Sequence, residues 1–94
     1  MPRLYFHHVD VHLSRTPSQE LIRRIECTSR DAGTPVSVWV MFRYCGEPGT
    51  PGPFTVRVTT RDTCSMPTLE TQAALAGAVG ELRCAESQKI GVVP

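Results

Sequence analysis

Two pairs of side chains in the sequence recur at a four-residue spacing that places both members on one face of a β-strand. Trp39 and Arg43 form the first pair, and Arg57 and Arg61 form the second. Alternate residues of a strand point to opposite faces, so residues four apart share a face. A guanidinium group binds a carboxylate through two parallel hydrogen bonds, and an indole ring supplies an apolar wall beside it. These four residues therefore predict a surface that contacts a ligand, another subunit, or both.

The three histidines and four cysteines of the chain do not predict a metal site. His8 and His12 share a strand face, but they lie about 13 Å apart along an extended chain, too far to bind one ion together. His7 points to the opposite face. The cysteines form no Cys-x-x-Cys pair of the kind found in structural zinc sites. We expect reduced, partly buried thiols, no bound metal and no cofactor.

Length and composition predict one globular domain that spans residues 1–94. The chain is 40% hydrophobic and 20% charged, as folded domains usually are. Its net charge is only +1, so it lacks the basic excess that displaces counterions from phosphates, and nucleic-acid binding is not expected. The first fifteen residues include Arg3, Asp10 and the histidines, and no apolar run approaches the length of a membrane span. We therefore expect a cytoplasmic protein that makes no membrane contact.

Hydrophobic periodicity predicts the element order β-α-β-β-α-β. Alternation predicts strands at residues 3–12, 36–44 and 54–61, and the short apolar run at 89–93 predicts a fourth strand. Thr16 is the expected cap of the first helix, with Pro17 at its first position. Apolar residues at helical spacing between Leu69 and Leu82 predict the second helix. The expected fold is an α+β two-layer sandwich, with a four-stranded sheet and two helices on one face.

One face of the predicted sheet carries no helix. The residues expected on it are Trp39, Met41, Arg43, Arg57 and Arg61. A face that carries tryptophan and methionine is poorly suited to open water. We therefore expect it to contact another subunit, a ligand, or both.

The first half of the chain resembles the tautomerase superfamily, whose members include 4-oxalocrotonate tautomerase and macrophage migration inhibitory factor. The similar features are Met1 and Pro2 directly before a strand, the segment SRTPSQE at 14–20, and VSVWVMF at 36–42. The resemblance covers roughly residues 1–45, and the second half fits by element order alone. It implies a tautomerase-like domain that forms a homotrimer. It also implies a cofactor-independent enzyme that moves a proton alpha to the carbonyl of a small 2-keto or unsaturated carboxylate.

In that family the base is a proline that becomes the N-terminal residue once the initiator methionine is removed. A free α-amino group titrates at about 7.7–8.0, and burial among apolar groups lowers its pKa, so it can act as a base at neutral pH. The resemblance implies that Pro2 is this base. It also implies that Arg15 holds the substrate carboxylate together with one or more of Arg43, Arg57 and Arg61. Related members dehalogenate, hydrate or decarboxylate such acids.

Two features depart from the family pattern and keep other functions open. Trp39 occupies a position where single-repeat members often carry arginine, and retention of Met1 would make Pro2 a tertiary amide without a basic nitrogen. One alternative is a catalytically inactive member of the same fold. The other is a non-enzymatic binding or regulatory module, of the ribosome-associated or phage-encoded inhibitor type, that uses its basic sheet face.

Overall fold

Strands and helices follow one another in the order β-α-β-β-α. The computed structural model describes residues 3–42 and 54–91, with the side chains of Phe42 and residues 87–91 excepted. The elements are β1 (Tyr5–Leu13), α1 (Gln19–Asp31), β2 (Ser37–Phe42), β3 (Phe54–Asp62) and α2 (Leu69–Gly91). The α+β class agrees with the sequence prediction, although the predicted element order does not.

The predicted four-stranded sheet and β-α-β-β-α-β order are wrong. The described strands form a three-stranded sheet, and residues 89–91, which we expected to begin a fourth strand, continue α2 as far as Gly91. A short apolar run does not distinguish a strand from a helix. The preceding segment contains Ala85, Glu86 and Lys89, which are good helix formers, and no proline that would end the helix. Val92 and Val93 lie outside the described residues.

The sheet is antiparallel, with β3 between β1 and β2. In the β1–β3 ladder Val11 lies opposite Val56, and in the β2–β3 ladder Val40 lies opposite the same residue. Every backbone group of the central strand can therefore pair within the sheet. The outer edges of β1 and β2 are the two edges of the sheet.

Both helices pack against one face of the sheet, and the core lies between these layers. The buried apolar residues are Val11, Leu13, Leu21, Ile25, Val36, Val56, Val58, Ala78 and Leu82. On β3 the residues facing the helices, Val56 and Val58, are completely inaccessible to solvent. Alternation of β3 then directs the residues between them, such as Arg57, to the opposite face.

The N-cap of helix α1 lies two residues later than the sequence analysis predicted, at Ser18 and not at Thr16. The hydroxyl oxygen of Ser18 accepts a hydrogen bond of 3.1 Å from the backbone N–H of Leu21. Pro17 consequently precedes the cap and does not occupy the first helical position. Ser18 satisfies one of the backbone donors that every helix start leaves without a partner inside the helix.

Helix α2 is attached to the end of β3 by the carboxylate of Asp62, a buried side chain that the sequence analysis did not identify. This carboxylate accepts hydrogen bonds from the backbone N–H groups of Cys64, at 3.1 Å, and Thr68, at 2.9 Å, and from the hydroxyl of Thr71, at 2.8 Å. These bonds hold the pKa of Asp62 well below its usual range, and the largest contribution comes from the backbone of Thr68. Asp62 therefore orients the turn that leads into α2.

Candidate binding face

The side of the sheet that carries no helix is the candidate site, here called the open face. Its described residues are Phe6, His8, Asp10 and His12 from β1; Thr55, Arg57, Thr59 and Arg61 from β3; and Ser37, Trp39 and Met41 from β2. Trp39, Arg57 and Arg61, which the sequence analysis singled out, all lie on it. Pro2 and Arg43 lie outside the described residues.

A row of three side chains crosses the middle of the open face. Asp10, Arg57 and Trp39 lie opposite one another on β1, β3 and β2. Arg57 donates to both carboxylate oxygens of Asp10, from Nε to Oδ1 at 2.8 Å and from Nη2 to Oδ2 at 3.1 Å. The hydrogen bond from Arg57 lowers the pKa of Asp10, and the same bond raises the pKa of Arg57. Asp10 therefore neutralises the charge of Arg57, and the two hydrogen bonds hold the guanidinium group in place.

Trp39 is fixed on the open face while its ring remains accessible. Its indole Nε1–H donates to the hydroxyl oxygen of Thr59 at 3.2 Å, and 58% of the residue is exposed. An exposed tryptophan with its polar atom already bonded presents an apolar surface in a defined orientation. On the other edge of the face, the Nδ1 atom of His12 lies 3.3 Å from the hydroxyl of Thr55, within hydrogen-bonding distance.

A second exposed aromatic ring lies beside an arginine at one end of the open face. Phe6 is 73% exposed, and it lies opposite Arg61 in the β1–β3 ladder. Arg61 makes no ion pair with any side chain that the structure describes. Among those side chains, this end of the face therefore offers a guanidinium group without a carboxylate partner next to an apolar ring.

Within one chain, the structure does not bring Arg15 together with Arg57 and Arg61. Arg15 follows the last residue of β1, Leu13, whereas Arg61 lies opposite Phe6 near the first. Phe6 and Leu13 are separated by about 23 Å of extended strand. Arg15 lines a cavity of about 20 Å³ beside Glu86, away from the open face. Of the predicted carboxylate ligands that the structure describes, only Arg57 and Arg61 share the open face.

A groove of about 480 Å³ lies between the two helices on the other side of the molecule. Ile25, Ala74, Gly77 and Ala78 are among the residues that line it, and Glu70 and Glu81 are the titratable groups. A methyl group added at Gly77 would meet no neighbouring atom within 4 Å. The groove is apolar, and it lacks the paired titratable and cationic groups that acid–base chemistry on a carboxylate needs.

Possible metal ligands, helix hydropathy and similarity to known proteins add nothing to the description of the site. In the described part of the chain, no three His, Cys, Asp or Glu side chains are grouped so that they could hold a metal ion. Neither helix in that part combines the length and the apolar content that crossing a membrane would require. The chain matches no known family model, curated protein or solved structure.

Proposed function

We propose that this chain is a protein-binding module that docks through its open face onto an acidic surface of a partner. The observation that carries the proposal is the composition of that face. Phe6, Trp39, Met41, Arg57 and Arg61 are residue types enriched at protein interfaces. Of the types that interfaces disfavour, the described residues of the face include Asp10, which is paired with Arg57, and Ser37, but no lysine, glutamate or alanine. The proposal corresponds to the binding-module alternative from the sequence.

The exposed aromatic rings are suitable anchors for such a partner. Tryptophan and arginine are enriched among the residues that contribute most to binding energy. The hydrogen bond between Trp39 and Thr59 holds the indole before any partner arrives. Because this ring is already oriented, binding costs less side-chain entropy than it would for a mobile side chain.

Charge on the open face favours a partner that carries carboxylates. Arg57 is neutralised by Asp10, whereas Arg61 makes no ion pair in the described part of the chain. One uncompensated arginine among the described residues of the face suits one or two carboxylates beside an apolar contact. It is a weak basis for nucleic-acid binding, because that affinity grows with the number of phosphates neutralised. A protein partner is therefore favoured over a nucleic acid.

Tautomerase chemistry remains a prediction of the sequence resemblance. Its base, Pro2, lies outside the described residues, and Arg15 and Arg61 lie at opposite ends of β1 in one chain. No contact among the described residues favours it over docking. The homotrimer, the small carboxylate substrate and a cytoplasmic location likewise stay predictions.

The sole tryptophan of the chain provides a direct test, because it lies on the open face. A tryptophan-free peptide of about 12 residues, rich in Asp, Glu and Phe, is titrated while Trp39 emission and iodide quenching are recorded. We expect saturable binding that protects Trp39 from iodide. Arg61→Glu should weaken binding about tenfold, which corresponds to loss of one charged contact.

Arg23→Glu is the matched control, because Arg23 is an exposed arginine on α1 and its replacement changes the net charge equally. This control should bind the peptide like the wild type. Equal weakening by both variants would mean that binding depends on net charge and not on the open face. Absence of saturable peptide binding would contradict the proposal. Tighter, steeply salt-dependent binding of a single-stranded oligonucleotide would replace the protein partner with a nucleic acid.

A further inference from the structure

The two edges of the sheet differ in whether their backbone groups are occupied. Beside β2, the N–H of Val36 donates to the hydroxyl of Ser29 at 2.9 Å, and the N–H of Val38 donates to the carboxylate of Glu26 at 3.0 Å. Both acceptors belong to α1. Side chains of this helix therefore occupy the first half of the β2 edge.

The β1 edge presents a row of backbone groups that point away from the sheet. The outward N–H of Val38 shows that Trp39, its neighbour, pairs with Arg57 through the β2–β3 hydrogen bonds. A residue in a central strand directs both backbone groups to one neighbouring strand, so those of Arg57 point away from β1. Asp10, opposite Arg57, must then direct its own N–H and C=O to the outer edge.

The same alternation applies along the whole of β1. Phe6, His8, Asp10 and His12 all direct their backbone groups outward. None of these groups has a hydrogen-bond partner among the residues that the structure describes. An uncovered row of this kind is a template for another strand.

We propose that β1 pairs with β1 of a second copy of this chain, antiparallel, about a two-fold axis at Val9. The strand has 9 residues, from Tyr5 to Leu13, and Val9 is its centre. Pairing Val9 with the partner's Val9 therefore engages the strand over its full length. The product is a continuous six-stranded sheet with the order β2-β3-β1-β1-β3-β2.

Side-chain pairing selects the same register. With Val9 at the axis, His8 lies opposite the partner's Asp10, and the partner's His8 lies opposite Asp10. An imidazole N–H can donate to a carboxylate in the directly opposed position, and cross-strand side-chain pairs stabilise a strand pair. Asp10 already accepts two hydrogen bonds from Arg57, but a carboxylate offers about four acceptor sites, so it can also accept from a histidine.

Neighbouring registers are less favourable. A shift of two residues in one direction opposes His8 to the partner's His8, and a shift in the other direction opposes Asp10 to the partner's Asp10. The first shift leaves His8 without an opposing carboxylate, and the second opposes two carboxylates of like charge, which is destabilising. A shift of one residue would place residues whose backbone groups point to the outer edge opposite residues whose backbone groups point to β3. The N–H and C=O groups of the two copies would then not meet. Among these registers, the one centred on Val9 combines full length with a histidine opposite each aspartate.

The dimer would also enlarge the open face. In the paired sheet the two open faces lie side by side and Phe6 packs beside the partner's His12. The inference does not depend on the proposed docking function, since the strands can pair whether or not a partner binds.

The test is the mass of the wild-type chain and three variants as a function of concentration, measured by sedimentation equilibrium. The wild type should form a dimer. His8→Asp places a second carboxylate opposite the partner's Asp10, on both sides of the axis. This variant should weaken dimerisation about tenfold or more. His12→Asp introduces the same charge opposite Phe6 and should retain the dimer. His8→Lys places an ammonium donor opposite the partner's Asp10 and should also retain it.

Amide hydrogen exchange provides a second measurement that distinguishes loss of pairing from loss of folding. In the dimer the amides of His8 and Asp10 should exchange slowly, and in His8→Asp at low concentration they should exchange rapidly while that of Val58 stays protected. A monomeric or trimeric wild type would contradict the proposal. Equal weakening by His8→Asp and His12→Asp would contradict the register, as would rapid exchange at His8 and Asp10 in the dimer.

Discussion

Arg57 and Asp10 form a two-point ion pair across β3 and β1, on the face of the sheet that no helix covers. The side chains are 39% and 31% exposed, so water screens the pair and its stabilising effect is small. Its structural effect is to fix a guanidinium group beside Trp39. The centre of the open face is therefore ordered without a ligand.

Replacement of Asp10 by asparagine should remove part of the acid sensitivity of folding. The pKa of Asp10 is lowered in the folded chain, so its stabilising contribution is present above about pH 4 and is lost as the pH falls below that value. Urea unfolding at about pH 7 and pH 3 measures this change. The variant should lose a little stability at neutral pH and show a smaller acid-induced loss than the wild type. A wild-type pH profile in Asp10→Asn would contradict the assigned pair.

Asp62→Asn should have the larger effect on folding, because Asp62 is buried and its carboxylate accepts hydrogen bonds from Cys64, Thr68 and Thr71. Its pKa is strongly lowered, so its contribution is complete above about pH 5 and diminishes as the pH falls toward about 2. We expect a lower urea midpoint at neutral pH and a flatter acid profile. Asp31→Asn, at the exposed end of α1, is the control and should unfold like the wild type.

Two substitutions distinguish the observed start of α1 from the one that the sequence predicted. Ser18→Ala removes the N-cap acceptor for Leu21 and should cost about 1 kcal/mol of unfolding free energy. Thr16→Ala, at the exposed predicted cap, should change stability by less than about 0.5 kcal/mol. Thermal and urea unfolding measure both values. The opposite ranking would restore Thr16 as the cap.

The tautomerase hypothesis makes its own prediction, independent of docking. It requires a chain that lacks Met1, which intact mass determines, and a wild type that accelerates phenylpyruvate enolisation. Pro2→Ala should then reduce the rate by about 10²–10⁴, the usual contribution of a positioned base. Arg23→Ala, on the helix side, should leave it unchanged. Equal rates for wild type and Pro2→Ala would remove Pro2 from any mechanism.

Strand faces were predictable from the sequence because alternation is a local property. The sequence assigns Trp39, Arg57 and Arg61 to one face, and the ladder places them there. Strand partners are not local, so the pairing of Arg57 with Asp10 could not be derived before the strand order was known. The alternation of Phe6, His8, Asp10 and His12 was nevertheless visible as a set sharing one face.

Errors in the prediction arose where short segments carry ambiguous patterns. The apolar residues near Ile90 fit a strand or a helix, and continuation of a 23-residue helix decided between them. Asp62 was missed because a single aspartate before a turn resembles many solvated ones. Thr68, one residue before the apolar repeat that starts at Leu69, was the available signal, since threonine is a preferred helix N-cap residue.

Coverage of the β2 edge by α1 limits how far strand pairing can extend. Ser29 and Glu26 occupy the backbone donors of Val36 and Val38. Strand-by-strand growth of the kind that produces fibrils needs an accessible edge on both sides of each unit. In the proposed dimer, these two helix side chains would therefore hinder addition of a further strand along the first half of each outer edge.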